Sequence, residues 1–250
     1  MLNAVPSAPP ARSRPAPCRS TPVAERIAES LDLLASLPIQ RRIVHAGDRA
    51  YHAGERFVSL HIVHSGFFKT VTLSADGREQ VVSLHFKGDW LGFDGIADQR
   101  HSCDAVALDT GELWSIGYDQ LLRRCAEQPA LLGLLHGAMS REIGRDRDSL
   151  MSLCTLPADA RVAEFLRYWA ESLTERGLRG DAITLRMTRA EIGNYLGMTL
   201  ESVSRALSRL ARERVIRFAE AGRRHVQIPD LGALLEFVQA SLVPAPRVLQ

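Results

Sequence analysis

Residues 188–210, TRAEIGNYLGMTLESVSRALSRL, predict two short helices joined by a tight turn. Thr188 and Glu191 have capping-box spacing, in which a hydroxyl and a carboxylate three residues later satisfy the free N–H groups of a helix start. Gly197 stands where the first helix must end, a position that favours a left-handed residue. Thr199 then predicts the start of the second helix, because a threonine hydroxyl is a good N-terminal cap.

The predicted second helix has two unlike faces. At about 100° per residue, Val203, Leu207 and Leu210 gather on one side. The opposite side carries Glu201, Ser204, Arg205 and Ser208. A buried face backing a polar face that contains Arg suits a helix that enters the major groove of DNA. The alternative is an ordinary surface hairpin of helices with a solvated charged face.

The residues that follow this helix are strongly basic. Within residues 205–225, seven arginines face two glutamates, which is a local charge of +5 in a chain whose net charge is +2. Residues 215–218 and 225–228 predict two short strands around a turn at residues 220–222. A helix-turn-helix followed by a basic β-wing is typical of a DNA-binding module whose arginines neutralise phosphates.

The segment MTRAEIGNYLGMTLESVSRALSRL resembles the Crp/Fnr family of transcription regulators. In that family, Glu-x-x-Ser-Arg in the recognition helix marks the Fnr-like branch, and here these residues are Glu201, Ser204 and Arg205. The Crp branch carries Arg before the Glu and Gly before the final Arg, where this chain has Leu200 and Ser204. The resemblance therefore implies half-sites like TTGAT in a palindrome such as TTGAT-N4-ATCAA.

The chemistry of these side chains fits contacts with bases. Arg matches G O6 and N7, Glu can accept from C N4, and Ser can serve in either role. The helix starts offer N–H groups and hydroxyls for phosphates. The predicted DNA-backbone contacts are Thr188, Arg189, Thr199, Ser202 and Arg209.

Short runs of apolar residues recur between glycine turns from about residue 41 to residue 118. Runs at residues 60–63, 67–72, 80–84 and 104–108 predict the strands of an antiparallel sandwich or barrel, and the family resemblance implies a cyclic-nucleotide-binding-like β-roll. The predicted fold is α+β, with an N-terminal antiparallel β-roll, a long dimerisation helix and a C-terminal winged helix-turn-helix. The predicted divisions are a disordered tail at 1–24, the roll sensor domain at 25–118, connecting and dimerisation helices at 119–156, the DNA-binding domain at 157–242 and a tail at 243–250.

The roll departs from the family pattern for cyclic nucleotides. In those binders a Gly-Glu pair holds the ribose, and Arg-Ser or Arg-Thr about ten residues later holds the phosphate. Here Gly92 is followed by Phe93 and Asp94, and Cys103 and Asp104 stand at the phosphate position. A carboxylate would repel a cyclic phosphate, and no Arg is aligned to offset it. Another small effector in the same roll remains open.

The Fnr-like branch suggests an oxygen-labile iron–sulfur cluster, which needs four converging thiolate-type ligands. The four cysteines, Cys18, Cys103, Cys125 and Cys154, are scattered, and Trp114 stands where the cysteine of the roll would be expected. The sequence therefore predicts no cofactor and no metal. The alternative function is an oxygen- or redox-sensing regulator that uses a non-standard iron–sulfur, haem or thiol site.

A long helix should begin at Pro129 and run to about Cys154. Its 4-3 spacing is that of a coiled-coil seam, although a core helix shows much the same pattern. The predicted dimer-interface residues are Leu132, Met139, Ile143, Asp146, Leu150 and Leu153. A palindrome requires two-fold symmetry in its reader. Asp146 would approach its own copy, which suggests a marginal dimer; alternatively it faces solvent or pairs with Arg145 or Arg147.

Other classes of function are less consistent with the sequence. No apolar run approaches the roughly 18 residues of a membrane span, and residues 1–24 lack the apolar core of a signal peptide, so we expect a cytoplasmic protein without a membrane partner. An enzyme would have to use His61, His64, His85 or Asp94 in the roll, where histidines are usually structural or exposed, so no enzyme is expected. The family resemblance adds RNA polymerase as a partner, with residues 74–80 as a candidate surface.

Overall fold

The computed structural model describes residues 21–74, 77–219 and 224–242 of the 250-residue chain. Its first helix, α1, spans Pro22–Ala35, because the Thr21 hydroxyl accepts the Ala24 N–H and so caps the helix start. The sequence predicts a helix at residues 25–37 and a disordered tail up to residue 24. The predicted boundary is wrong, because the helix begins at Pro22, three residues earlier. Residues 1–20 and 243–250, the rest of both predicted tails, lie outside the described residues.

The roll consists of two antiparallel sheets. Its strands are β1 (Gln40–Val44), β2 (Arg49–Tyr51), β3 (Ser59–Ser65), β4 (Phe68–Leu73), β5 (Glu79–His85), β6 (Trp90–Leu91), β7 (Asp104–Ala107) and β8 (Gly111–Gly117). One sheet has the order β1-β8-β3-β6 and the other the order β2-β7-β4-β5. The antiparallel roll is therefore confirmed, and the four predicted runs fall in β3, β4, β5 and β7.

Alternate residues of the strands face the interior of the roll. Val63, Phe68 and Leu113 are fully buried there. Gly111 is required where β8 meets the end of β3, since a Cβ there would lie 2.3 Å from the Ser65 carbonyl oxygen. This close approach lets β8 and β3, which are neighbours in one sheet, meet at that end of the roll.

Two helices follow the roll, α2 (Tyr118–Glu127) and α3 (Pro129–Thr155). Pro129 is the first residue of α3, as the sequence predicts. At 1.5 Å per residue, the 27 residues of α3 extend about 40 Å. Leu131, Leu135 and Ala138 are buried on one side of α3, against the roll and α1.

The C-terminal part contains four helices and a small sheet. The elements are α4 (Ala158–Glu175), β9 (Ala182–Thr184), α5 (Arg189–Leu196), α6 (Leu200–Arg212), β10 (Arg217–Phe218), β11 (His225–Gln227) and α7 (Leu231–Leu242). The sheet has the antiparallel order β10-β11-β9. The winged helix-turn-helix is therefore confirmed, while residues 220–223 at the predicted wing turn lie outside the described residues.

The first wing strand is shorter than the sequence predicts. Arg214 has a φ of 62°, and after this left-handed residue Val215 and Ile216 turn into the core instead of extending as a strand. The Val215 N–H donates to the Leu210 carbonyl, so this segment finishes α6 before β10 begins at Arg217. Burial of two apolar side chains outweighs their β propensity here.

One apolar core joins the roll to the C-terminal part. Trp169 of α4 is buried, and its ring centroid lies 5.6 Å from that of Phe67 and 5.4 Å from that of Phe86. Val71 and Val81 of the roll belong to the same buried cluster. The helix-turn-helix therefore has a defined position on its own roll. Within the described ranges, the chain contains no helix with the length and apolarity needed to cross a bilayer.

Candidate nucleic-acid interface and effector cavity

The caps predicted for the helix-turn-helix are present. The Thr188 hydroxyl accepts the Glu191 N–H at 3.1 Å, and the Glu191 carboxylate accepts the Thr188 N–H at 2.7 Å. Gly197 has a φ of 62° and ends α5 in the left-handed conformation. The Thr199 hydroxyl accepts the Ser202 N–H at 3.2 Å and starts α6. Local hydrogen bonds therefore set both helix boundaries and the turn between them.

The two faces of α6 are also as predicted. Val203, Leu207 and Leu210 are fully buried. Glu201, Arg205 and Ser208 are exposed, and Ser204 is half-buried. Hydrogen bonds from its own N–H and from the Thr199 hydroxyl lower the pKa of Glu201, which keeps it an ionised acceptor. The buried face anchors the helix while the polar face is available to a partner.

The predicted phosphate contacts differ in their surroundings. Thr188 and Thr199 are exposed at the helix starts, whereas Arg189 and Ser202 are half-buried. Arg209 is already engaged, because its guanidinium lies 2.7 Å from an Asp159 oxygen and 2.8 Å from a Glu213 oxygen. The sequence offered no indication of the Asp159 contact, which brings α4 beside α6.

A contact between the roll and α5 was not predicted from the sequence. Lys69, only 7% exposed, donates to Glu191 across 2.5 Å. The side chain of Asn194 accepts the Val81 N–H at 3.2 Å and donates to the Glu79 carbonyl, so it pairs with the edge of β5 as a strand would. Although partial burial opposes ionisation, Lys69 and Thr188 lower the pKa of Glu191. No sequence pattern links partners 122 residues apart.

The candidate polymerase surface at residues 74–80 is only partly described, because residues 75 and 76 lie outside the described ranges. Glu79 and Gln80 already contact α5, since the Gln80 amide donates to the Asn194 carbonyl. The C-terminal end of this loop is therefore part of an internal contact.

Asp94 binds the segment where the family resemblance puts a phosphate, which includes Cys103. Its Oδ2 accepts the N–H groups of Ser102 at 2.7 Å and Cys103 at 3.3 Å. Its Oδ1 accepts the Tyr51 hydroxyl at 3.3 Å and lies 3.4 Å from Nδ1 of His101. Burial opposes ionisation, but His101 and the Ser102 N–H lower the pKa of Asp94 to about 2. The N–H groups that could hold an anion are thus bound to a carboxylate of the chain.

A cavity of about 590 Å³ opens between the roll and α3. Residues of both sheets line it, together with Glu142, Asp146 and Leu150 of α3 and Tyr195 of α5. The cavity therefore borders the roll, the long helix and the helix-turn-helix.

The outer face of α3 carries an apolar stripe. Leu132, Ile143 and Leu150 are 38%, 49% and 62% exposed. Met139 and Leu153 are half-buried. Asp146 is exposed in the middle of this stripe, and Arg145, one of its suggested partners, instead lies 2.7 Å from Asp89. The stripe is the face on which the sequence predicts a dimer.

The cysteines lie on separate elements. Cys103 is buried in the roll, Cys125 is buried on α2, and Cys154 is exposed on α3, while Cys18 lies outside the described residues. Burial and the neighbouring Asp94 raise the pKa of Cys103 to about 12, so its thiol is neutral. In the described ranges, no three His, Cys, Asp or Glu side chains converge as metal ligands.

Comparisons with known proteins cover both halves of the chain. Residues 160–237 match the Crp-like helix-turn-helix domain, and residues 41–128 match the cyclic nucleotide-binding domain. The chain is 32% identical over 208 residues to the anaerobic regulatory protein of Haemophilus influenzae, covering 83% of this chain and 80% of that protein. It is 33% identical over 186 residues to the fumarate and nitrate reduction regulatory protein of Yersinia pestis, covering 74% of each. The solved structure of FixK2 from Bradyrhizobium japonicum has a TM-score of 0.71 and 26% identity, covering 80% of this chain and 97% of FixK2.

Proposed function

The chain belongs to the Crp/Fnr family of transcription regulators, and from that premise we propose that it binds palindromes of the TTGAT-N4-ATCAA type as a homodimer under the control of an effector. The observation that most directly supports this proposal is the polar face of α6. Its residues Glu201, Ser204 and Arg205 lie opposite a fully buried apolar face. A helix anchored in this way can present its polar side chains to the major groove.

Each residue of this face has a specific role in the proposal. Arg205 reads guanine through O6 and N7, Glu201 accepts from cytosine N4, and Ser204 completes the contact. Thr188 and Thr199 bring hydroxyls and free helix N–H groups to the phosphates. Arg189, Ser202 and Arg209 are further proposed backbone contacts, and Arg209 must exchange Asp159 or Glu213 for a phosphate.

The proposed dimer forms through the outer face of α3. Exposed apolar side chains in a contiguous stripe mark an interaction surface, and Leu132, Ile143 and Leu150 form such a stripe. A second copy of α3 would cover them, and the proposal requires the two α6 helices of the dimer to lie about 34 Å apart, the spacing of consecutive major grooves. RNA polymerase is the proposed partner of the DNA-bound dimer, with residues 74–80 as the candidate surface.

A second candidate function is oxygen or redox sensing through a non-standard site. It is favoured by the similarity to regulators that are named for anaerobic control, and it keeps the same DNA-binding surface. Iron content and an absorbance spectrum after anaerobic purification would test it. A protein without iron, haem or a thiol response would exclude this candidate.

The test of the main proposal is fluorescence anisotropy with the ligand-free, aerobically purified protein. The two duplexes are TTGAT-N4-ATCAA and a scrambled sequence of the same length, compared at one salt concentration because phosphate contacts depend on salt. We expect at least about a thousandfold preference for the palindrome, the lower end for specific DNA-binding proteins. Equal affinities, with or without anaerobic iron reconstitution, would contradict the proposal.

A further inference from the structure

The side chain of His85 lies deep in the protein, where a polar ring normally needs hydrogen-bond partners. The residue is 1% exposed on β5 and borders the cavity between the roll and α3. Among the described residues, neither Nδ1 nor Nε2 has a hydrogen-bond partner. Burial and the neighbouring Arg145 lower the pKa of His85 to about 4, so the ring is neutral, with one donor and one acceptor. Buried polar groups are nearly always paired, so this ring points to a ligand.

Glu142 borders the cavity from α3. It follows Leu131, Leu135 and Ala138 at helical spacing on the inward face, where a carboxylate is unexpected. Its Oε2 is buried and has no hydrogen-bond partner in the part of the chain that the structure describes. Burial raises the pKa of Glu142 to about 7, with Arg145 opposing and Asp146 adding to the shift. A second buried polar group therefore lacks a partner in the same cavity.

The charges around the cavity select against an anion. Three carboxylates, Asp94, Glu142 and Asp146, line it, and neither Lys nor Arg is among its described lining residues. The N–H groups of Ser102 and Cys103, which could hold an anion, are bound to Asp94. A negatively charged ligand would meet like charges there, whereas a cation would be attracted in a partly dry site.

We propose that the cavity binds a small organic cation of the amine or amidine class, which donates one N–H to Glu142 Oε2 and another to the free ring nitrogen of His85. The regulatory part of this proposal rests on the proposed function, because the bound cation would control a DNA-binding dimer. Asp146 and Leu150 border the cavity and also lie on the outer stripe of α3. The cation therefore offsets carboxylate repulsion at the two-fold axis and strengthens the dimer.

Isothermal titration of the full-length protein with benzamidine, benzamide and benzoate tests the chemistry of the site. The three probes share one ring and differ in charge, which is positive, neutral and negative. We expect benzamidine to bind at least about tenfold more tightly than benzoate. One favourable charge pair in a partly dry site is sufficient for a preference of this size. Sedimentation should show a smaller dimer dissociation constant with benzamidine than with benzoate. Absent binding of benzamidine, or equal binding of benzoate, would overturn the proposal.

Two variants locate the binding. Glu142→Gln keeps the shape of the side chain without its charge and should weaken benzamidine binding by about tenfold. Glu171→Gln removes a carboxylate that pairs with Arg167 on α4, away from the cavity lining, and should leave binding unchanged. Equal binding by the Glu142 variant and the wild type would place benzamidine elsewhere and refute the site. DNA anisotropy distinguishes the failure of this proposal from the failure of the proposed function. A protein that recognises the palindrome but does not bind benzamidine would refute only the cation site in the cavity.

Discussion

The Asp89→Asn substitution should reveal how strongly one buried carboxylate holds three parts of the chain together. Asp89, 6% exposed, lies after β5 in the roll. It lies 2.7 Å from Arg145 of α3 and 3.0 Å from Arg176 at the end of α4. It also accepts the Phe86 N–H at 2.8 Å. An Asn of the same shape can keep the Phe86 bond, so the substitution removes mainly the charge.

The expected loss of stability depends on the interactions that Arg145 and Arg176 keep in the variant. Breaking a buried ion pair by removing one partner costs about 3–5 kcal/mol, because an uncompensated charge stays buried. Arg176 keeps its hydrogen bonds to the Lys87 and Ser172 carbonyls, and Arg145 still interacts with Glu142. We therefore expect the free energy of unfolding to fall by about 3 kcal/mol, the lower end of that range.

Urea denaturation of the variant and the wild type, at equal protein concentration, measures this loss. The matched control is Asp181→Asn, which breaks the exposed pair with Arg179 and should cause no measurable change. Burial alone would raise the pKa of Asp89, but Arg176 and Arg145 lower it below the ordinary 3.8. The stabilisation is therefore complete above pH 3.8 and is lost as the pH falls through the lowered pKa. A loss no larger than in the control, or one that persists after Asp89 is protonated, would refute this reasoning.

Three further substitutions address the other contacts. Arg205→Ala should weaken binding to the palindrome by about 1–3 kcal/mol and relax specificity at one base pair in anisotropy titrations; an equal loss on every duplex would contradict base reading. Asp146→Ala should lower the dimer dissociation constant measured by sedimentation, while Asp148→Ala, two residues away, should not; an unchanged constant in the first variant would end the repulsion hypothesis. Asn194→Ala removes two hydrogen bonds to β5 and should reduce the free energy of unfolding by about 1–3 kcal/mol in urea; a neutral result would show that the contact between the roll and α5 is unimportant for stability.

The helix-turn-helix was predictable because its determinants are local. Thr188, Gly197 and Thr199 act on groups within a few residues, and the buried face of α6 repeats at helical spacing. The same holds for the start of α3 at Pro129. Elements set by neighbouring residues can be inferred from one sequence.

The errors and omissions have tertiary causes. Val215 and Ile216 have side chains that favour strands, yet they form a turn because both side chains are buried in the core. Lys69 and Glu191 meet across 122 positions. The sequence argued against cyclic nucleotides from the carboxylate of Asp104 at the phosphate position, but only the structure shows that the Asp94 carboxylate binds the Ser102 N–H. The unpaired nitrogens of His85 depend on all its neighbours, which no linear pattern records.

Arg145 connects the proposed effector site with the rest of the chain. It pairs with Asp89, and its charge also opposes the raised pKa of Glu142 three residues earlier on α3. Arg145 therefore acts through its charge on a carboxylate at the cavity and binds a second carboxylate, Asp89, which also binds Arg176 of α4. A ligand shifts a conformational equilibrium only through a difference in its interactions between two states. A cation at Glu142 supplies such a difference, since it interacts with Glu142 in the arrangement that forms the cavity, in which Arg145 of α3 binds Asp89 and Asp89 binds Arg176 of α4.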